Sequence, residues 1–249
     1  MQVTILGAGT AIPARGYSPA GMFVQAAGEQ LLFDAGPGTL QRLREAGGSI
    51  FELDRVFLTH YHLDHCLEIA ALLFALRIPG QSRPKTLAIY GPPGLKRLIR
   101  RLNAAFHGWL APRSYPLILK EVKETTLKFR GCAVSTRWMS HSAPALGYRL
   151  TAEGKSLAYS GDTDVCEGIV ELGRNTRLLI LECSMTDERK ASGHLTPSEC
   201  GQIAAEANCR HLVLTHFYPV FKGYDIRRRV RSAYRGRVTL ARDLTSFRV

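Results

Sequence analysis

The sequence lacks any apolar run that approaches the roughly 20 residues needed by a transmembrane helix. Its opening, MQVTILGAGTAIP, lacks the basic and long apolar segments of a signal peptide, and we interpret it as a first strand. No low-complexity segment or linker divides the 249 residues. With 45% hydrophobic and 22% charged residues, the composition predicts a soluble globular protein, with one domain over residues 1–249.

Cysteine is scarce as well. The six cysteines, at positions 66, 132, 166, 183, 200 and 209, include no CxxC pair. In a chain of this length they predict reduced, mostly buried thiols and a cytoplasmic protein. Cys66 adjoins a group of histidines and could neighbour a metal ion, but we prefer to interpret it as a packed thiol.

Acidic residues are outnumbered: the 21 Asp and Glu residues face 33 Lys and Arg residues, which gives a net charge of +12. This excess favours encounter with polyanions, including nucleic acid and phosphorylated small molecules, although solubility alone is an alternative reason for it. Two groups of basic residues could contact phosphates, or could be solvated faces. They comprise Lys96, Arg97, Arg100 and Arg101, and Arg227, Arg228, Arg229, Arg231, Arg235 and Arg237.

Short β-rich segments separated by Gly and Pro turns occur in both halves of the chain. Strands are predicted at residues 2–6, 22–25, 30–33, 55–58, 86–90, 132–137, 147–151, 156–160, 178–181 and 212–215. Helices are predicted at residues 37–46, 66–76 (ending before Pro79-Gly80), 94–105 and 197–208, the last opened by a capping box, TPSE. The pattern predicts an α/β (α+β) fold in which two mixed sheets are flanked by helices.

The segment LTHYHLDHC, residues 58–66, contains an H-x-H-x-D-H pattern. Burying so many imidazoles without partners would be costly, which argues against a purely structural role. Because strand side chains alternate between faces, we expect His60 and His62 to point the same way. Imidazoles with one carboxylate, Asp64, suit zinc, manganese or iron. Together with His65 they exceed what one tetrahedral ion takes from a short loop, so we expect two ions.

Three further ligand-type residues, His141, Asp162 and His216, each follow a predicted strand. Taken singly, each residue is weak evidence for a metal site, and Asp162 could be an ordinary turn residue. Beside the histidine cluster they become candidate ligands. His107 and His211 lack such a setting, and we expect them to be surface or hydrogen-bonded core residues.

THYHLDH, together with His141, GDT and THF, resembles the metallo-β-lactamase superfamily. The order of LGAGTAIPARGYS, LLFDAGPGT, HSAPALGYRL, LAYSGDT, LLILECS, GHLTPSE and LTHF is similar to that of its ribonuclease Z-like branch. The resemblance implies a four-layer αβ/βα sandwich and a hydrolase with two divalent ions, Zn²⁺ or alternatively Mn²⁺ or Fe²⁺. It implies one ion held by His60, His62 and His141, a second held by Asp64, His65 and His216, and Asp162 bridging both.

The resemblance also implies roles for four carboxylates and histidines. Asp64 would share in activating the attacking water, and His194, steadied by Glu182, would contact the scissile phosphate near a helix N-terminus. Asp34, in FDAG, would orient the histidine loop, or else be a plain turn residue. The family also suggests a homodimer.

One departure concerns the substrate. Bacterial ribonuclease Z carries a long tRNA-gripping arm between its counterparts of His141 and Asp162, whereas here 20 residues, 142–161, read as a tight hairpin. We therefore expect a phosphodiesterase or endoribonuclease acting on RNA, such as a tRNA 3′ end, or on a small phosphodiester. An arylsulfatase or lactonase-type hydrolase is the alternative within the enzyme class. A non-catalytic subunit that binds nucleic acid is the alternative outside it.

Overall fold

The strands assemble into two sheets that pack face to face. The computed structural model describes residues 1–78, 83, 85–141 and 144–249, and within these ranges each sheet has seven strands. The first sheet comprises β1 (Gln2–Gly7), β2 (Gly21–Ala26), β3 (Glu29–Ala35), β4 (Arg55–Phe57), β5 (Leu87–Gly91), β6 (Leu117–Glu121) and β14 (Thr245–Arg248). The second comprises β7 (Thr125–Phe129), β8 (Cys132–Met139), β9 (Ala145–Ala152), β10 (Lys155–Tyr159), β11 (Leu178–Glu182), β12 (His211–Thr215) and β13 (Arg237–Leu240).

Each sheet has an antiparallel part and a parallel part. The first runs in the order β14-β1-β2-β3-β4-β5-β6 and is parallel from β3 to β6. The second runs in the order β13-β12-β11-β10-β9-β8-β7 and is parallel from β10 to β13. The central parallel strands β5 and β11 are buried along their whole length, as expected for strands covered on both faces. This confirms the prediction of two mixed sheets.

Helices cover the outer face of each sheet. In the described ranges these are α1 (Thr39–Glu45), α2 (Leu63–Cys66), α3 (Glu68–Ala75), α4 (Leu95–Ala105), α5 (Glu167–Gly173), α6 (Pro197–Glu206) and α7 (Ile226–Val230). Leu43, Leu72 and Ile99 pack under the first group of helices, and Leu172 and Ile203 under the second. A third apolar cluster lies between the sheets, where Phe33 and Phe57 meet Tyr148. The fold is therefore the expected four-layer αβ/βα sandwich.

Several sequence predictions need correction. The helix predicted over 66–76 is interrupted at Leu67, where the Ala70 N–H donates to the Leu67 carbonyl only three residues earlier, and Pro79-Gly80 lie outside the described residues. β6 and β7 were not predicted because charged and exposed side chains hide their alternation. β13, β14, α5 and α7 were also missed, since each spans only four to seven residues.

Among the described residues, no helix has the length and apolarity that crossing a membrane requires. All six cysteines are free, and all but the half-exposed Cys166 are buried. Burial raises the pKa of the Cys66 thiol to about 12, so this cysteine is a packed neutral thiol. His107 is exposed, while His211 is half-buried and hydrogen-bonded to Thr239, as predicted for both.

Candidate dinuclear metal centre

The candidate ligands meet at one edge of the sandwich. Parallel strands bring their carboxyl ends together, and the crevice beyond those ends is a usual place for a site. β3, β4 and the loop after it supply residues from the first sheet, while β8, β10, β11 and β12 supply residues from the second. The site therefore needs both halves of the chain.

His60 and His62 converge on one site, as expected, but strand alternation is not the reason. We expected them to lie at the end of a strand, whereas β4 already ends at Phe57. The loop that follows carries both histidines, and their rings lie 4.6 Å apart at an interplanar angle of 81°. Asp64 and His65 then lie on α2, a single helical turn.

Two glycines let the other ligand loops approach. Gly161 precedes Asp162 with φ +58°, and a Cβ there would lie 2.7 Å from the Thr59 side chain. Gly193 has φ +84°, and a Cβ would lie 3.0 Å from Nδ1 of His141. Because a larger residue would be strained at either position, these glycines set the distance between the loops.

The first ligand set comprises His60, His62, His141 and Asp162, whose ligand atoms all lie within 4.8 Å of one another. His62 Nδ1 lies 3.2 Å from His141 Nε2. Asp162 Oδ2 lies 3.8 Å from His60 Nε2 and 3.9 Å from His141 Nε2. These are the three histidines predicted for one ion, together with the predicted bridging carboxylate.

The second set comprises Asp64, His65 and His216, again within 4.8 Å of one another. His65 Nε2 lies 3.2 Å from His216 Nε2, and Asp64 Oδ2 lies 3.5 Å from His216 Nε2. Asp162 faces this set with its other oxygen, since Oδ1 lies 3.2 Å from His65 Nε2 and 3.4 Å from His216 Nε2. One carboxylate thus presents one oxygen to each set.

The hydrogen bonds behind the histidines fix their tautomers. His65 Nδ1 lies 2.8 Å from an Asp34 oxygen, and His141 Nδ1 lies 2.9 Å from the Gly193 carbonyl; both partners only accept. The Nδ1 atoms must therefore carry the protons, which leaves the Nε2 lone pairs directed into the site. His65 Nε2 and His216 Nε2 face each other at 3.2 Å, so a proton or a metal cation must lie between them.

This donor set suits metal ions. Nε2 of His60 and Oδ1 of Asp162 are buried and have no hydrogen-bond partner within the parts of the chain that the structure describes. Unpaired buried polar atoms are costly, and a divalent ion at each set would satisfy them. Imidazole nitrogens and carboxylate oxygens are ligands that zinc, manganese and iron accept.

The charges around the site favour the metal-binding protonation states of Asp162 and His60, whereas His65 would have to lose a proton. Burial lowers the pKa of His65, but Asp162 and Asp34 outweigh burial and raise that pKa well above 6.5. Burial raises the pKa of Asp162, but positive charge on His216 and His65 outweighs it, and the carboxyl pKa lies well below its usual range. Burial, reinforced by His65, holds the pKa of His60 well below 6.5. A carboxylate and a neutral imidazole are the metal-binding forms of these groups.

Asp34 lies behind both ligand sets rather than in a plain turn. It is fully buried with φ +58°, and its carboxylate accepts hydrogen bonds from the Thr59 backbone N–H at 2.8 Å, from His65 and from the Tyr159 hydroxyl at 2.8 Å. The Thr59 hydroxyl also donates to Asp34, and accepts from His60 Nδ1 at 3.0 Å. Asp34 therefore orients a histidine of each set, as the sequence suggested.

Glu182 and His194 form the expected pair. His194 Nδ1 donates to Glu182 Oε1 at 3.0 Å, and His194 lies with Asp162 and His216 in a third group of close ligand-type atoms. Burial lowers the pKa of His194, but the hydrogen bond and charge of Glu182 outweigh burial and raise it. His194 is held near the N-terminus of α6, whose capping box of Thr196 and Glu199 is present as predicted.

Besides Thr59 and Tyr159, sequence reasoning missed Ser184 and Tyr218. Ser184 donates to Glu182 Oε2 at 2.5 Å and accepts from His216 Nδ1 at 2.9 Å, so it links a ligand of the second set to the His194 partner. The Tyr218 ring lies 5.8 Å from that of His216 and 6.3 Å from that of His194. The only sequence signal was adjacency, since LECS contains Ser184 and THF directly precedes Tyr218.

Comparison with known proteins now decides the family. A family model described as "Beta-lactamase superfamily domain" matches residues 29–217. The chain belongs to the metallo-β-lactamase superfamily. Within the superfamily, it is 31% identical to a ribonuclease Z of Brevibacillus brevis, over 90% of this chain and 87% of that one. It is 28% identical to a ribonuclease Z of Streptomyces coelicolor, over 98% of this chain and 96% of that one.

Solved structures of the metallo-β-lactamase superfamily agree with this assignment. The metallo-β-lactamase fold protein YhfI of Bacillus subtilis superposes with a TM-score of 0.85 at 25% identity, covering 99% of both chains. The short form of human tRNase Z superposes with a TM-score of 0.80 at 25% identity, covering 100% of this chain and 99% of that one. Both the sequence and the structural likeness thus extend over almost the whole chain and support the ribonuclease Z-like branch.

Proposed function

We propose that this chain is a dinuclear metal-dependent phosphodiesterase similar to ribonuclease Z, with residues 1–249 as one hydrolase domain. The observation that carries the proposal is Asp162, which presents one carboxylate oxygen to each of two separate histidine sets. A site for a single ion would not need seven ligands in two groups joined by one carboxylate. The names of the relatives at 28–31% identity support a phosphodiester substrate.

Each residue at the edge of the site has a task in this reaction. His60, His62 and His141 would hold the first ion, Asp64, His65 and His216 the second, and Asp162 both. When bound, the ions would lower the pKa of a water molecule and offset charge that grows on the phosphoryl oxygens. The Ala11 N–H donates to Asp64 Oδ2 at 3.1 Å, the oxygen that faces His216, and so holds this carboxylate at the second set, where it would share in activating that water.

His194 supplies the proton for the leaving oxygen. Its Nδ1–H is committed to Glu182, so Nε2 is the atom that can hold a transferable proton towards the ligand cluster. Burial lowers the pKa of His194, but Glu182 outweighs burial and raises it, which favours the imidazolium form that a general acid needs. Glu182 and His194 would therefore act as a positioning residue and a general acid.

RNA is the proposed substrate class, with a tRNA 3′ end as its first candidate. Residues 144–161 form the β9–β10 hairpin and leave no place there for an inserted arm, while Ser142 and Ala143 lie outside the described residues. The basic face of α4 stays exposed, but in α7 Arg229 pairs with Glu188 and Asp187. Small phosphodiesters therefore remain within the proposal beside RNA.

Zinc is the proposed native ion, with manganese and iron as alternatives that the same ligands accept. We also infer a cytoplasmic location, supported by the free and mostly buried cysteines. A homodimer stays a prediction from the family, and sedimentation of the metal-loaded protein tests it.

The decisive experiment incubates the metal-loaded protein with a 3′-extended precursor tRNA and, in parallel, with an aryl phosphodiester and an aryl sulfate. Cleavage just after the discriminator base supports a tRNA-processing enzyme that works without the arm. An intact precursor with a hydrolysed diester restricts the function to compact substrates. Hydrolysis of the sulfate alone would favour the arylsulfatase alternative, and Asp64→Ala is the inactive control for all three.

A non-catalytic nucleic-acid-binding role makes a different prediction. Such a protein would retain RNA in a gel-shift assay while purifying without two metal equivalents and cleaving none of the three substrates. The complete ligand set argues against that outcome, because degeneration would first remove ligands.

A further inference from the structure

An aromatic pocket of about 330 Å³ lies beside the metal centre, and neither the ligand sets nor the Glu182–His194 pair uses it. Its volume is at the lower end of the range for small-molecule sites. The residues that matter for its chemistry are Tyr17, Phe217, Tyr218, Phe221, Tyr224 and Lys222. Five of these six carry aromatic rings.

The fold holds these rings in a defined arrangement. The chain turns at His216, which has φ +60°, and the Phe217 N–H then donates to the Ala8 carbonyl at 3.0 Å. Phe217 packs edge-to-face on Tyr17 at 6.0 Å and on Phe221 at 5.7 Å. Phe221 in turn lies 5.8 Å from Tyr224. Each ring is therefore oriented by another ring before any ligand arrives.

Tyr218 connects the pocket to the reacting edge of the site. It lines the pocket, while its ring packs edge-on against His216 and His194. On the opposite side, the loop containing Ala14 lines the same pocket, and the Ala11 N–H of that loop donates to Asp64. Tyr218 and the loop containing Ala11 and Ala14 therefore each contact both the pocket and the candidate metal site.

The pocket is chemically suited to a flat aromatic group attached to a phosphate chain. Bases stack on aromatic side chains irrespective of sequence, because every base has a π-face. Lys222 is exposed and makes no ion pair with any residue in the described ranges, so its ammonium group is available to a neighbouring phosphate. Arg242 and Arg229 already lie over the rings of Tyr17 and Tyr224, 5.9 Å and 5.5 Å from the ring centroids, so a base would stack on Tyr218 or Phe221. An aliphatic ligand would use neither the ring faces nor the charge of Lys222.

We propose that this pocket binds the base of a nucleotide next to the scissile phosphate, so that the enzyme selects nucleotide diesters by stacking. The proposal rests on the phosphodiesterase function proposed above. The expected substrate is a ribonucleotide chain in which the base next to the scissile phosphate is unpaired and can stack on the pocket instead of on its neighbouring base.

The test compares a dinucleoside monophosphate with two analogues that each lack one base. For the unmodified enzyme, we expect loss of one particular base to lower kcat/KM by about 5- to 150-fold, the effect that base–aromatic stacking has when an aromatic residue is removed. The loss should lie mainly in KM, because the ions and His194 still act on the same phosphate. Loss of the other base should change little.

The matched variants are Phe221→Leu, which keeps apolar volume but removes the ring, and Phe221→Tyr, which keeps the ring. We expect Phe221→Leu to lose most of the discrimination between the full and the base-free substrate, and Phe221→Tyr to retain it. Equal cleavage of all three substrates by the unmodified enzyme, or unchanged discrimination by Phe221→Leu, would overturn the pocket assignment while leaving the phosphodiesterase function intact.

Failure of the phosphodiesterase proposal would give a different result. If no diester is cleaved at all, the phosphodiesterase proposal fails, and the base-binding assignment fails with it. If an analogue that lacks one base is still cleaved at a measurable rate, the phosphodiester chemistry works, and any change seen in Phe221→Leu reports on the pocket alone.

Discussion

The two ligand sets have similar ligands but differ in what stands behind them. Behind the first set no carboxylate contacts a histidine directly: the Thr59 hydroxyl connects His60 to Asp34, and the Gly193 carbonyl supports His141. Behind the second set are carboxylates, because Asp34 supports His65 directly and Glu182 supports His216 through Ser184. His62 of the first set is exposed, whereas His65 and His216 are buried.

This difference predicts which of the two sets binds its ion more tightly and which lies nearer to the substrate. A carboxylate behind a histidine raises the basicity of the ligand and holds its ring, and loss of such a partner commonly costs about 10- to 100-fold in metal affinity. We therefore expect the second set to bind its ion more tightly. We expect the first set, in which His62 is exposed, to release its ion more readily and to lie nearer to an incoming phosphate.

The largest effect should come from removing what the sets share. Asp162→Ala takes one ligand from each ion and leaves His60 and His65 without their common anion, so we expect both affinities to fall by more than about 100-fold, with no measurable diester hydrolysis. Metal analysis after dialysis and activity assays check this, with circular dichroism to verify the fold. Retention of one full metal equivalent would show that the sets are independent.

Asp34→Asn should distinguish the two sets. The asparagine amide has the shape of the carboxylate but no charge, and its NH2 group would face the Nδ1–H of His65, so that two donors would meet. We expect the affinity of the second set to fall by about 10- to 100-fold, with a smaller change in the first. Stepwise titration against a competing chelator measures both. A larger loss in the first set would reverse the comparison.

Removing either of two hydroxyl groups tests the contribution of the relays behind the two ligand sets. Ser184→Ala breaks the link from His216 to Glu182, while Thr59→Val removes the hydroxyl between His60 and Asp34. Because each hydroxyl connects a ligand to a carboxylate, we expect each variant to weaken its own ion by about tenfold, Ser184→Ala the second and Thr59→Val the first. The same chelator titration applies, and an unchanged affinity in either variant would mean that the relay through that hydroxyl contributes nothing.

The smallest effect concerns His211, which lies at the opposite end of β12 from His216. Burial and the charge of Arg237 lower the pKa of His211 to about 4. Because the unfolded chain then binds more protons between pH 6.5 and 4, this histidine supports the fold above pH 6.5 and loses that contribution as the pH falls. We expect His211→Gln to bind metal normally and to lose less stability than the unmodified protein over this window.

Urea unfolding at several pH values, with metal removed from both proteins, measures that difference. The other histidines are common to both proteins, so the comparison isolates His211. A parallel pH dependence in the two proteins would show that His211 titrates normally in the folded state.

The sequence predicted the layered fold and singled out all seven residues that meet in the two candidate ligand sets, because the histidine cluster is dense and each of the other three follows an apolar strand. The supports were harder to predict. The hydroxyls of Thr59, Tyr159 and Ser184 have no distinguishing pattern, and their roles arise only when β3, β10 and β11 come together at one edge.

The aromatic pocket could not be predicted from the sequence either, because segments distant along the chain form it. The residues from Phe217 to Tyr224 read as an aromatic loop, but Tyr17 joins them from the other end of the chain. Short edge strands were also missed, since β7 has no fully buried residue and its alternation is carried by side chains that are only half-buried. Contacts between distant segments, rather than local propensity, determine these parts of the molecule.

Asp34 has a further consequence for the order in which the protein matures. Its carboxylate comes from β3, yet its partners include Tyr159, and the ligands that it helps to orient are completed only by Asp162 and His216. During synthesis the four ligands of the histidine loop leave the ribosome long before these two. Until the second sheet docks, that loop lacks His141, Asp162 and His216, so we expect tight metal binding only after the two sheets have come together.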